Sequence, residues 1–155
     1  MKTIVLGSSK GIGKSVADAF EHFSDVVRTD SEIINTSDIK SVKDFVKLHM
    51  SSTSLYPDVL VLNTGGPPAK SFWNIEEKEW HQYYYQLFYS FVYILKNMKI
   101  KKDGYIFLIS SHQIKEPDSN MALSVTFRNA TSSLLKLLTK EFAKNNISCI
   151  NIAPG

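Results

Sequence analysis

Short runs of apolar residues alternate along this chain with longer stretches whose apolar positions recur at helical spacing. The first run, Thr-Ile-Val-Leu-Gly over 3–7, is near-continuous and reads as a buried strand. Over 11–22, Ile12, Val16, Ala19 and Phe20 fall three and four apart, the pattern of an amphipathic helix. Two brief apolar segments, 26–29 and 33–35, predict short strands. Ser37 or Asp38 then offers a cap to a helix carrying Ile39, Val42, Phe45, Val46 and His49. A second continuous run, Asp-Val-Leu-Val-Leu-Asn over 58–63, predicts a strand covered on both faces.

The stretch TGGPPAKSF that follows is a loop by its glycines and prolines. Asn74, with Glu77 three residues later, has the form of a helix cap with a reciprocating acid, and predicts one long aromatic-rich helix over 76–98. A strand over 104–110, a polar loop through Pro117, a helix over 120–144 and a strand over 147–152 complete the pattern. Strand–helix alternation of this kind predicts an α/β fold: a Rossmann-like, doubly wound parallel sheet in three α/β/α layers. Ligands of such sheets sit beyond the carboxyl ends of the strands. The loops after residues 7, 63 and 110 all fall at that edge.

Composition narrows the picture further. The 155 residues suit one domain, 1–155, and 43% hydrophobic with 21% charged residues is ordinary globular usage. The net charge of +3 comes from scattered lysines, not a basic arm, so no nucleic-acid partner is expected. The single cysteine, Cys149, excludes an internal disulfide, and its apolar surroundings predict a buried structural thiol. The apolar run after Lys2 is too short for a secretion signal and no stretch approaches a membrane span, so the expectation is a soluble cytoplasmic protein without a membrane partner.

The chemistry starts with GSSKGIGKS over 7–15. A triphosphatase P-loop needs its first glycine at position 8, which is Ser8, and an acid at the end of a buried strand, where this chain has Asn63. A dinucleotide-binding turn fits better. Gly7, Gly11 and Gly13 let the backbone approach a pyrophosphate, and a helix starting near Gly11 would aim its free N–H groups at it. The spacing is Gly-x3-Gly-x-Gly.

With that spacing the chain resembles the short-chain dehydrogenase/reductase family along its whole length. Asn35-Thr36-Ser37-Asp38 is similar to the family's Asp-Val-Thr-Asp segment at the adenine, with Asn35 in place of the first acid. Leu62-Asn63-Thr64-Gly65 stands where the family has Asn-Asn-Ala-Gly, and its extension through Pro67 and Pro68 resembles one branch. Ile109-Ser110-Ser111 resembles the strand end bearing the family's catalytic serine, and Asn151-Ile152-Ala153-Pro154-Gly155 its Pro-Gly loop beside the nicotinamide. The resemblance implies NAD(P)-dependent carbonyl reduction or alcohol oxidation of a small molecule. The implied cofactor contacts are Gly7, Ser9, Lys10, Gly11, Ile12, Gly13, Asp30, Asn35, Asn63, Gly65, Arg128, Pro154 and Gly155.

The family works with Asn, Ser, Tyr and Lys. Counting from Trp80, the Asn position is Leu87; Ser is kept as Ser111; Tyr is Ser124 and Lys is Arg128. A serine hydroxyl is a far weaker acid than a tyrosine of pKa ~10, and Arg128 holds its proton, so the proton-transfer set is atypical. Ser111, Ser124 and Arg128 remain the candidate catalytic residues, with His112 as an alternative acid. Two readings stand: an oxidoreductase with an atypical catalytic set, and a non-catalytic dinucleotide-binding sensor or scaffold.

Lys10, with Arg28, would suit the 2′-phosphate of NADP, while Asp30 would suit the free hydroxyl of NAD; the balance tips slightly to NADP. Aromatic residues cover more than one face of the predicted 76–98 helix, and the resemblance implies that this helix and the 120–144 helix pair with their copies in a homodimer or homotetramer. The family also carries a substrate-covering C-terminal part that these 155 residues do not contain, and both a fragment and a naturally short form fit.

Overall fold

The computed structural model describes every residue, Met1–Gly155. Five parallel strands form one sheet in the order β2-β1-β3-β4-β5. They are β1 (Lys2–Val5), β2 (Asp25–Arg28), β3 (Val59–Leu62), β4 (Tyr105–Ile109) and β5 (Ser148–Ile152). The register places Ile4 beside Val27 and Leu60, Leu60 beside Ile106, and Ile106 beside Cys149.

Side chains alternate across this sheet. Ile4, Leu6, Leu60, Leu62, Ile106 and Leu108 enter the larger core, under α2 (Ile39–His49), α4 (Ser90–Asn97) and α5 (Ala122–Ala143). Val5, Val59, Val61 and Ile109 turn to the other face, where they meet Ala17 of α1 (Gly11–Phe20). Both faces are covered, and this is why β3 is apolar at every position and buried throughout. Each such fully buried aliphatic side chain contributes about 1.5–3 kcal/mol.

Local polar chemistry decides against the expected pattern in two places. The segment 33–35 is a turn and not the expected strand. Asp30 Oδ1 accepts the N–H groups of Glu32 and Ile33, and Asp30 O accepts that of Ile34, so the backbone is committed to a local turn. Asn74 is not the cap of the next helix, because it closes a single turn, Phe72–Asn74. Glu76 caps α3 (Glu77–Tyr84) instead, in a reciprocal arrangement with Glu79.

The predicted 76–98 helix is present as one unbroken helical run from Glu77 to Asn97, with a change of turn inside it. Between α3 and α4 lies a wider π turn, Tyr85–Tyr89, registered by the stacking of Tyr84 on Tyr89, five residues on, at 5.8 Å. Leu87 is buried in this turn, and its carbonyl accepts the Thr131 hydroxyl of α5 at 2.7 Å. Cys149 is half-buried in the exposed edge strand β5, and burial pushes its thiol pKa up.

Candidate active site

Strand order reverses between β1 and β3, so the chain leaves these two neighbours towards opposite sides of the sheet and opens a crevice at their carboxyl ends. A cleft of about 480 Å³ lies there. Gly7, Ser9, Lys10, Ile12 and Gly13 line it from the turn after β1, Asp30 and Asn35 from beyond β2, Asn63 and Gly65 from beyond β3, and Arg128 from α5.

The glycine turn is shaped by close approach. Gly7 and Gly11 adopt φ of 61° and 57°, the left-handed region. A Cβ on Gly13 would stand 2.1 Å from Gly7 O and 2.6 Å from Asn63 Nδ2, so only glycine fits against the β1 end. Buried Ser8 ties the turn to the end of β2. Its N–H and hydroxyl both donate to Thr29 O, and its Oγ accepts from Thr29 N at 2.8 Å. Asn63 spends its amide on the same turn, donating to Leu6 O and Gly7 O at 3.2 and 3.1 Å.

The N–H groups of Ser9, Lys10, Gly11, Ile12 and Gly13 donate to no acceptor within the protein. They form the amino end of α1 together with the turn that leads into it, and so present five free donors and a positive dipole end. No carboxylate pairs with the Lys10 ammonium, which is exposed at the head of α1. Asp30, on the cleft wall, uses Oδ1 for its turn and leaves Oδ2 without a partner. Arg28 points elsewhere: its guanidinium pairs with Glu21, at 2.7 Å, and with Asp18 on α1. The Lys14 ammonium and then Arg28 hold the Asp18 carboxyl below its usual range, Arg28 does the same for Glu21, and Arg28 takes no part in the cleft.

Arg128 is the one cation set into the sheet end. Nη1 donates to Ile109 O and Ser110 O at 3.0 and 3.5 Å, Nη2 to Thr64 O at 3.3 Å, and Nε to Ser124 Oγ at 3.2 Å. It thereby staples the ends of β3 and β4. No carboxylate compensates it, and burial pushes its pKa down from the usual arginine value.

Five other predicted residues stand off the cleft wall. Ser124 is only 5% exposed, beneath Gly66, on which a Cβ would lie 4.0 Å from its hydroxyl. Ser111 is half-buried at the head of the turn His112–Ile114, its Oγ accepting from Gln113 N at 3.3 Å. Pro154 O accepts from the His112 N–H at 2.9 Å and lies 3.2 Å from His112 Nδ1. Gly155 follows it and is exposed. Gly11 heads α1 with open space around it. Two residues after Ser111, Gln113 Oε1 is the only buried side-chain polar atom without a hydrogen-bond partner.

Thr36, Thr64, Gln86 and Ser110 line the cleft without having been singled out from the sequence. Gln86 did carry a signal, as an amide flanked by Tyr85 and Leu87 inside an aromatic helix.

A model of the short chain dehydrogenase family matches residues 25–155. The chain belongs to the short chain dehydrogenase family. Membership places it among the oxidoreductases, and the sheet order agrees with the doubly wound fold. No curated protein sequence matches this short chain dehydrogenase.

Among solved structures, a short chain dehydrogenase from Burkholderia cenocepacia J2315 in complex with NADP superposes with a TM-score of 0.88 at 18% identity, over 99% of this chain and 73% of that one. The angucycline C-6 ketoreductase LanV with bound NADP gives 0.85 at 15% identity, over 99% and 72%. A short-chain dehydrogenase/reductase from Brucella melitensis, described as a glucose/ribitol dehydrogenase, gives 0.82 at 22% identity, over 99% and 74%. At these identities the likeness is one of fold. No helix of this short chain dehydrogenase is long and apolar enough to cross a membrane.

Proposed function

We propose that the cleft holds a nicotinamide dinucleotide, NADP in preference to NAD, and that the protein exchanges hydride between it and a small-molecule carbonyl or alcohol. The observation that carries this reading is the row of five unpaired N–H groups from Ser9 to Gly13 on a turn from which side chains are excluded at Gly13. Such a row suits a pyrophosphate. Two of the structural neighbours are described with NADP, which supports the same reading.

The bound nicotinamide would supply or accept the hydride. The protein's own residues divide the remaining work. Lys10 holds the 2′-phosphate, and Asp30 sets the opposing preference for a free hydroxyl. Asn35 and Gly65 border the adenosine end. Asn63 acts by holding the glycine turn, as its two bonds to Leu6 O and Gly7 O require. Arg128 offers its remaining N–H to ribose oxygens from a fixed position on the strand ends. Ser111 orients the substrate oxygen, with Pro154 and Gly155 beside the nicotinamide. Ser124 supports Arg128 and does not itself exchange a proton, because its hydroxyl is buried and already accepts from Nε.

Half-buried aromatics join α3 to α5, with Trp80 and Tyr84 meeting Phe127 at 5.9 and 6.1 Å, and this shared face supports a two-fold dimer. The test of function is titration of purified protein with NADPH and NADH, followed by nicotinamide fluorescence and Tm, then a carbonyl screen with Ser111→Ala beside the wild type. Binding with turnover that Ser111→Ala abolishes is expected. Binding without turnover of any carbonyl or alcohol would favour a sensor or scaffold, and no binding would remove the reading.

A further inference from the structure

Gln86 lies in the π turn and joins two loops that approach the cleft from different strands. Its Oε1 accepts the Ser37 hydroxyl at 2.8 Å, and its Nε2 donates to Gly65 O at 2.8 Å. Four residues on, fully buried Ser90 donates to Thr36 O at 2.6 Å. Thr36 and Thr64 close the same gap with a hydroxyl pair at 3.0 Å. The two threonines bridge the loops directly, whereas Gln86 alone bridges them from outside, from the π turn, and it also lines the cleft.

We infer that Gln86 is a positioning residue for dinucleotide binding: it sets the width of the cleft by strapping the Ser37 loop to the Gly65 carbonyl. Three features carry this. The amide is used at both ends, so its orientation is determined by donor and acceptor, and a carboxylate would repel the Gly65 carbonyl. The π turn widens the helix where Gln86 sits, and such turns re-aim side chains at functional sites. The strap joins half-buried Gln86 and Ser37 to exposed Gly65 at the cleft rim and lies outside the apolar core, so its loss acts on cleft geometry before it acts on folding.

This inference rests on the dinucleotide reading above, and the experiment separates the two. NADPH dissociation constants are measured by nicotinamide fluorescence for wild type, Gln86→Leu, Gln86→Glu, Ser37→Ala and the Gln86→Leu/Ser37→Ala pair, with Tm of each ligand-free protein. Gln86→Leu is expected to weaken NADPH about tenfold, the size of one or two ordinary hydrogen bonds. Gln86→Glu should weaken it more than Ser37→Ala, and the double variant should be no worse than Gln86→Leu alone. Ligand-free Tm should stay within about 3 °C, since a purely structural residue would move Tm and leave the constant alone. A Gln86→Leu constant within twofold of wild type, or additive losses in the double variant, overturns the positioning role while the dinucleotide reading stands. Failure of the wild type itself to bind NADPH or NADH overturns both.

Discussion

Arg128 Nε donates to Ser124 Oγ at 3.2 Å, four residues apart on α5, while the other end of the guanidinium binds carbonyls of β3's and β4's loops. The sequence resemblance matches this pair to the family's tyrosine and lysine, but its geometry is that of a brace. A delocalised, permanently charged fork can satisfy several carbonyls at once, which a lysine ammonium does with less geometric control.

Removing the brace therefore costs more than removing the hydroxyl it rests on. Arg128→Met should lose about 2–4 kcal/mol by stranding the carbonyls of Thr64 and Ile109. In a chain of this size that lowers Tm by roughly 5–15 °C. Ser124→Ala should lose about 1 kcal/mol and leave NADPH affinity within threefold. A Ser124→Ala variant that folds normally but has lost all turnover would return Ser124 to the chemistry.

The glycines of the phosphate turn should separate into two kinds. Gly13→Ala drives a Cβ to 2.1 Å from Gly7 O, so a loss of more than about 3 kcal/mol, or failure to fold, is expected. Gly11→Ala meets nothing within 4 Å and strains only its φ of 57°, costing about 1 kcal/mol. Thermal melts of the two variants decide this, and equal losses would contradict the packing described.

Stability should also fall with pH through a buried histidine far from the cleft. His49 packs on Phe45 at 4.2 Å with Nδ1 3.0 Å from Phe45 O, and burial, with the nearby Lys2 charge, pushes its pKa below the usual 6.5. Above about pH 6.5 both folded and unfolded chains hold a neutral ring. Below it the unfolded chain takes up the proton first, so stability drops until the folded ring protonates as well. His49→Phe should flatten Tm between pH 6.5 and about 5. A Tm profile in that range identical to wild type would rule His49 out as the cause.

Cofactor choice should turn on Lys10 and Asp30. Lys10→Ala removes a charge with no internal partner and is expected to weaken NADPH about tenfold while leaving NADH nearly unchanged. Asp30→Ala should do the reverse, weakening NADH and tolerating NADPH. Paired titrations read both at once, and a uniform loss for the two cofactors in Lys10→Ala would place Lys10 away from the 2′ position.

Much of this molecule was legible in the order of its residues, because the forces that shape those parts are local or periodic. Continuous apolar runs such as 58–63 announce strands covered on both faces, and strand–helix alternation leaves few topologies besides a parallel sheet. Gly7, Gly11 and Gly13 announce a backbone that must come close to something. Ile33 and Ile34 misled in the other direction, since apolar content there lost to the Asp30 turn, a competition settled by hydrogen bonds and not by burial.

Only the tertiary structure decided which side chains meet. That Arg28 turns to Asp18 and Glu21, and away from the cleft, depends on how α1 lies over β2. That Ser124 is buried beneath Gly66, and that Gln86 reaches both Ser37 and Gly65, depends on three loops from separate strands arriving at one edge. Periodicity along the chain records which face of an element is covered. It carries no record of the residue dozens of positions away that covers it, and the roles of Arg128, Ser124 and Gln86 are set by those distant partners.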